Sequence, residues 1–382
     1  MTITLLIGIS CFLLLLGALT PWVNPLFRRP KTDSGDDDTP VPEDTLPGIS
    51  ILLVSRGNPV ALDEHLPVFF TQEYPSDYEV IVVADKTDDN TGNVLKRYAS
   101  HKNLYATFIP ESSRYMSKNK LGATLGVKAA KYDWILLVDP TCKPADSHWL
   151  ASMARNLQPD KNMVVGYTRF NDEAPRMMSF EHMYDACYLL RAVEKGSPYR
   201  TNCSVLAFRK QEFLEGNGFQ GSLKYSIGEF DFLVNKFGRS GSTVADCSPS
   251  SWLLEDVPSP RSWQNRKVYY QEVRRHLDRG HRYQALYLCD LMALHLTYLI
   301  QLAGIVYGSF TREWVIVAAA VLSLVLTMVL RTRIGLETCR AFDTPCSWYQ
   351  VVPFELSLVY RRFATMIRYE YSDKTEFISP KV

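Results

Sequence analysis

The chain has 382 residues, 46% hydrophobic and 22% charged, with a formal net charge of +1. Its length and apolar content can bury one large core or two smaller ones. The near-neutral balance argues against a nucleic-acid binder, and eight scattered cysteines without a CxxC pair or Cys/His ligand spacing argue against a zinc site and fit a reducing compartment.

The first 27 residues carry no charge, and residues 3–23 are long enough to span a bilayer. They lack a basic n-region and a small-x-small cleavage site, so they read as an anchor rather than a signal peptide. Residues 32–47, acidic and proline-rich, form a linker. From Gly48 strands and helices alternate. Strands are expected at Ile49–Ser55, 78–84, Leu104–Ile109 and Trp134–Val138, with helices at 61–72, 88–100 and 117–130 between them. Asp88 or Asn90 can cap the second helix. On the third, Leu121, Leu125 and Ala129 form an apolar stripe, while Gly122 and Gly126 permit close approach to a sheet. The run Trp134–Val138 is apolar throughout, as in a strand buried on both faces. This order predicts right-handed βαβ units and a mostly parallel sheet.

Beyond Asp146 the alternation loosens. Helices are expected at 147–156, 177–193 and Glu229–Phe237, and strands at 163–169 and 204–209. Residues 262–279, basic and aromatic, lead into a second apolar segment, 283–310, whose one formal charge is Asp290. A third, 314–330, has none. Residues 348–360, interrupted by Pro353 and Glu355, read as an interfacial helix pair. Arg28, Arg29 and Lys31 follow the first apolar segment, Arg274, Arg275, Arg279 and Arg282 precede the second, and Arg331 and Arg333 follow the third. The positive-inside rule places all three clusters, and the polar middle with them, in the cytoplasm. The expected organisation is an anchor at 1–30, a linker at 31–47, a globular domain at 48–281, a transmembrane hairpin at 282–333 and an interfacial tail at 334–382.

Asp85 and Asp139 end two strands at the carboxyl edge, where open α/β sheets bind ligands. Either alone is also ordinary turn and capping chemistry. Together, with Lys118 and Lys120 following, they suggest a nucleotide diphosphate site: one carboxylate for base or ribose, another for a divalent metal, and lysines for phosphate. The two lysines equally suit a solvated helix start, and Glu229 and Asp231 suit the positive end of a helix dipole.

The blocks ISILLVSRGN, YEVIVVADKTDDNT, SKNKLGATLGVKAAKYDWILLVDPTCKP, RTNCSVLAFRKQEFLEGNGF, SIGEFDFLVNKF and QEVRRH follow one another from Gly48 to His276. In that order they resemble the family 2 glycosyltransferases. The resemblance implies an α/β, GT-A type, Rossmann-like fold, with one N-terminal and two C-terminal transmembrane helices. It implies a membrane-anchored, inverting enzyme of the inner (plasma) membrane, its catalytic domain cytoplasmic. A sugar would pass from a nucleotide diphosphate sugar to a lipid-linked or membrane-proximal acceptor, with Mg²⁺ or Mn²⁺ as cofactor. Two C-terminal spans favour single addition over a polymer-extruding synthase. Asp85 would contact the nucleotide, with Lys118 and Lys120 on the donor. Asp139, as first acid of the D-x-D motif, would hold the metal with Thr141. Glu229 or Asp231 would be the general base. Gln271, Arg274 and Arg275 would close over the diphosphate. Three positions depart from the pattern. Thr141 stands where D-x-D has its second acid, Phe230 where G-E-D has its catalytic Asp, and Arg275 where Q-x-x-R-W has Trp. These departures keep open a second reading, a catalytically degenerate relative acting as a nucleotide-sugar-binding or structural subunit.

Overall fold

A computed structural model describes residues 3–32, 46–111 and 117–377; of the 32–47 linker, residues 33–45 lie outside the described residues. The chain begins with helices α1 (Ile3–Ala18) and α2 (Thr20–Val23). It continues with β1 (Ile49–Ser55), α3 (Pro59–Phe70), β2 (Tyr78–Asp85), α4 (Asp89–Tyr98), β3 (Leu104–Ile109), α5 (Lys118–Ala129) and β4 (Trp134–Val138). Next come β5 (Cys142–Pro144), α6 (Trp149–Ala154), β6 (Met163–Val165), β7 (Thr168–Phe170), α7 (Arg176–Glu194), β8 (Val205–Arg209) and α8 (Lys210–Glu215). Helix α9 (Glu229–Phe237), β9 (Thr243–Ala245), β10 (Leu253–Glu255), α10 (Pro260–Arg275), α11 (His281–Thr311), α12 (Trp314–Ala341) and α13 (Val351–Tyr371) complete it.

The chain divides into two compact units. The larger comprises Pro30–Ala174, Leu189–Gly280 and Thr365–Val382. Its seven-stranded sheet has the order β3-β2-β1-β4-β8-β6-β9, and a second sheet pairs β5-β10-β7. Strands β3, β2, β1 and β4 run parallel, whereas β8 is antiparallel to β4. One face of β1, β2 and β4 packs Ile51, Leu53, Val82 and Leu136 against Leu62, Phe69, Trp149 and Met153 of α3 and α6. Local signals set the helix starts: Asn58 caps α3 behind Pro59, Asp88 caps α4, and Ser117 caps α5.

Helix α5 covers the other face, and not through its expected stripe. Gly122, Ala123, Gly126 and Val127 are buried, while Leu121, Leu125 and Ala129 are half-buried. The glycines let the backbone settle onto β1: a Cβ would lie 2.6 Å from a Val54 methyl at Gly122 and 2.2 Å from a Leu52 methyl at Gly126. The expected strand 163–169 is also two strands. β6 joins the large sheet and β7 the small one, with Gly166 between them against Val205 and Met153. The helix expected at 147–156 shortens to α6 because Asp146 and Ser147 are drawn to Gln72 and Glu73.

The smaller unit, Met1–Arg29, Pro175–Tyr188 and His281–Ala364, is helical. Helices α11 and α12 are long and apolar enough to cross a membrane. Helix α1, with 16 residues, stops at Leu19, short of the expected 3–23 span. Polar side chains face inward: Gln301 donates to Ser323 Oγ (2.9 Å) and Thr327 Oγ1 (2.8 Å), and Thr20 reaches Thr327. Leu296, Leu299, Leu322 and Val325 point outward and are exposed. In place of the expected helix pair, α13 is unbroken. Pro353 falls in its first turn, where a missing N–H breaks no helical bond. Glu355 is buried 3.2 Å from Arg331. Arg331 is therefore a buried core partner of α13.

Candidate active site

Because β2 and β4 flank β1 in parallel, Asp85 and Asp139 emerge on one edge of the sheet. Asp85 is buried, and both its oxygens are engaged. Thr87 donates to Oδ1 through its N–H (3.2 Å) and hydroxyl (2.9 Å), and the Lys118 ammonium lies 2.6 Å from Oδ2. Burial pushes this carboxyl up, but the bonds from Lys118 and Thr87 outweigh it and hold the group below its ordinary value.

Asp139 begins a tight turn. Its Oδ1 accepts from the Thr141 N–H (2.9 Å) and hydroxyl (2.7 Å). The turn is tied on several sides: Asp139 N–H to Ser204 O, Asp256 N–H to Thr141 O, and His65 Nδ1 at 2.9 Å from Pro140 O. Thr141 thus orients Asp139 and leaves its second oxygen free of the turn.

Glu229 opens α9. Gly228 before it has φ +91°, and a Cβ there would lie 2.8 Å from both Val273 methyls, so only glycine suits this close, left-handed entry. The Glu229 carboxyl meets Asn119 Nδ2 at 3.4 Å through Oε1, and Oε2 is buried with no partner among the described residues. Burial raises its pKa, against the pull of Lys120. Asp139, Glu229, Asn119, Pro140 and Phe230 line one small, open recess.

Asp231 is not among the residues of that recess. It is fully buried, its Oδ1 accepting from the Thr201 N–H at 3.0 Å; burial raises its pKa, opposed by Arg200 and Arg274. Two residues along a helix rotate a side chain by roughly 200°, which separates the two acids. Helix α10 reaches this side through Val273. Arg274 donates to Gln271 at 3.4 Å and acts on Asp231. Arg275 turns away, 2.7 Å from Glu370 and stacked over Tyr369. Lys120 is also placed elsewhere. Fully buried, it donates to the carbonyls of Ser222 (2.9 Å), Tyr225 (2.9 Å) and Ile227 (3.0 Å), and burial lowers its pKa to about 8. Its three N–H donors are met by protein, so it does not present them to a phosphate.

The sequence reading missed Arg266, Tyr270 and Glu255. Buried Glu255 accepts from Thr168, Ser204 and Arg266. Burial opposes the Arg266 cation, but Glu255 overrides it and holds the guanidinium charged. Burial raises the Tyr270 phenol, which feels Asp231, Glu229 and Asp139. The available signal was the four-residue repeat Arg266, Tyr270, Arg274, which aligns one face of a helix.

Among the described residues no group of three or more His, Cys, Asp or Glu side chains converges as a metal cage. The second oxygen of Asp139, outside the turn and on that recess, instead fits a cation held mainly by a diphosphate, since Mg²⁺ is commonly bound by one or two carboxylates plus substrate phosphates.

A family model described as glycosyl transferase family 21 matches residues 11–356. No curated protein matches the chain in sequence. Among solved structures, a mannosyltransferase from Pyrobaculum calidifontis, PcManGT, determined in complex with GDP-Man and Mn²⁺, superposes with a TM-score of 0.54. It is 16% identical and covers 96% of this chain and 98% of that one. S. aureus TarS gives a TM-score of 0.42 at 14% identity, over 84% of this chain and 54% of that one. The first likeness shows a shared fold, the GT-A type expected from the motifs. The matching family is 21; family 2 is not confirmed.

Proposed function

The chain belongs to glycosyl transferase family 21, and on that premise we propose that it moves a sugar from a nucleotide diphosphate sugar to a lipid-linked or membrane-proximal acceptor, with inversion at the anomeric carbon. The observation that carries this reading is the recess that Asp139 shares with Glu229, whose Oε2 has no partner among the described residues. A carboxylate with a raised pKa and an empty lone pair is suited to take the proton of an acceptor hydroxyl. That oxygen then attacks the anomeric carbon as the bond to the diphosphate breaks. Asp85, kept ionised by Lys118 and Thr87, accepts hydrogen bonds from the base or ribose. Arg274, braced by Gln271, meets the charge that develops on the leaving diphosphate. Asp139, oriented by Thr141, would hold Mg²⁺ or Mn²⁺, which supplies further charge neutralisation there.

The apolar outer faces of α11 and α12 and their polar inner layer support a bilayer-embedded unit. With the arginine flanks, they support a catalytic domain on the cytoplasmic side of the inner (plasma) membrane, the boundaries being 1–30, 48–281 and 282–333 for anchor, catalytic domain and hairpin. One observation favours a second reading. Phe230 lines the recess at the position where the family 2 pattern has its acid, as in a nucleotide-sugar-binding subunit without turnover.

The test is a donor screen on the detergent-solubilised full chain, with and without Mn²⁺, following nucleoside diphosphate release and thermal stabilisation. Glu229→Gln should keep donor binding and lose turnover, and Asp139→Ala should lose both. Binding without turnover in the wild-type chain would select the second reading. Turnover indifferent to both substitutions would remove the mechanism.

A further inference from the structure

The segment that delivers Glu229 to the recess, residues 222–228, has no regular secondary structure of its own. Its backbone is held from two sides. On one side α5 supplies the fixings: Lys120 takes the carbonyls of Ser222, Tyr225 and Ile227, the Ser117 N–H donates to Leu223 O (2.8 Å), and the Ser117 hydroxyl donates to Ser226 O (3.0 Å). On the other side stands the C-terminal tail. The Phe377 carbonyl accepts from the Ser226 N–H (3.0 Å) and the Ser226 hydroxyl (3.2 Å). The buried Phe377 ring sits edge-on to Tyr269 at 4.9 Å and stacked with Tyr369 at 5.7 Å.

Tyr269 adjoins Tyr270 and Gln271 on α10, so the tail touches both the entry to α9 and the helix that carries Arg266 and Arg274. Further contacts clasp it to α10: Tyr369 to Glu272, and Arg275 to Glu370 at 2.7 Å. This explains where Arg275 goes. The residue that replaces the motif's tryptophan ties down the tail.

We infer that residues 369–377 form a positioning strap, in which the Phe377 carbonyl and ring, clasped to α10 through Arg275 and Tyr369, fix the 222–228 segment and so the placement of Glu229 on the recess. Phe377 is a positioning residue. It contacts the backbone three residues before the reacting carboxylate and lies outside the recess. This inference rests on the glycosyl-transfer reading for its catalytic consequence, though not for its structural one.

The experiment uses the full chain in detergent micelles, comparing wild type with Phe377→Ala, Phe377→Leu and the milder Arg275→Gln. Amide hydrogen exchange is followed across 222–228, with the β1–β4 strands as the fold control. In Phe377→Ala, exchange at 222–228 should quicken by about tenfold or more while the strands stay protected. Turnover should fall by about 10- to 100-fold, as expected for a misplaced catalytic group. The donor KM should stay within about twofold, Phe377→Leu should recover much of the loss, and Arg275→Gln should fall between. Unchanged exchange at 222–228 would overturn the strap. Faster exchange with unchanged turnover would overturn its positioning role. A wild-type chain inert with every donor would sink the functional reading alone, because the exchange comparison would still decide the strap.

Discussion

Two corners of the larger unit treat carboxylates in opposite ways. At the end of β2, Asp85 is buried with both oxygens engaged by Thr87 and Lys118, and it lies below its ordinary pKa. At the start of α9, Glu229 and Asp231 are each left with one buried oxygen lacking a partner among the described residues, and both are raised. A satisfied carboxylate strengthens the fold and holds a fixed charge. An unsatisfied one weakens it, because desolvation is not offset by a bond. The β2 corner is therefore suited to binding, and the α9 corner to accepting a proton or a ligand.

The comparison is sharpened most by Glu229→Gln, which should cut turnover by about 10²- to 10⁴-fold while donor affinity holds, in nucleoside diphosphate release and titration assays. The wild-type acid limb should lie above the ordinary glutamate range: as pH falls through the raised Glu229 value the base is protonated and turnover is lost. Asp85 behaves with the opposite sign. Its depressed value means that its contribution to stability is present above the unfolded-state pKa and is lost only as pH falls through the lower folded one. A second measurement concerns Arg266→Met, which takes the cation from buried Glu255 while Thr168 and Ser204 still donate to it, and should cost about 3–5 kcal/mol in denaturant unfolding. Gly228→Ala, forced to keep a left-handed φ against Val273, should cost about 1–3 kcal/mol, read as a lowered Tm. The smallest effect belongs to Lys118→Met. Thr87 still serves Asp85 there, so stability should fall by only about 1 kcal/mol. A Lys118 effect larger than that of Gly228 would break the contrast between the two corners.

The parallel half of the sheet was legible in the residues themselves. Five consecutive apolar side chains followed by Asp139, a helix cap at Asp88 or Asn90, and acids at two strand ends are local patterns. Local patterns suffice because a strand's faces and a turn's chemistry depend on near neighbours. The glycines of α5 were legible as points of close approach, although which face they carried to the sheet was not.

Tertiary structure alone decided which acid reaches the recess, what Lys120 holds and where Arg275 goes. Glu229 meets Asn119 across 110 residues of sequence, Lys120 meets Tyr225 across 105, and Arg275 meets Glu370 across 95. On a helix one residue's offset turns a side chain by about 100°. Motif spacing could therefore bring Glu229, Phe230 and Asp231 to the right place in the chain, but only packing of α9 against α5 and α10 could choose among them.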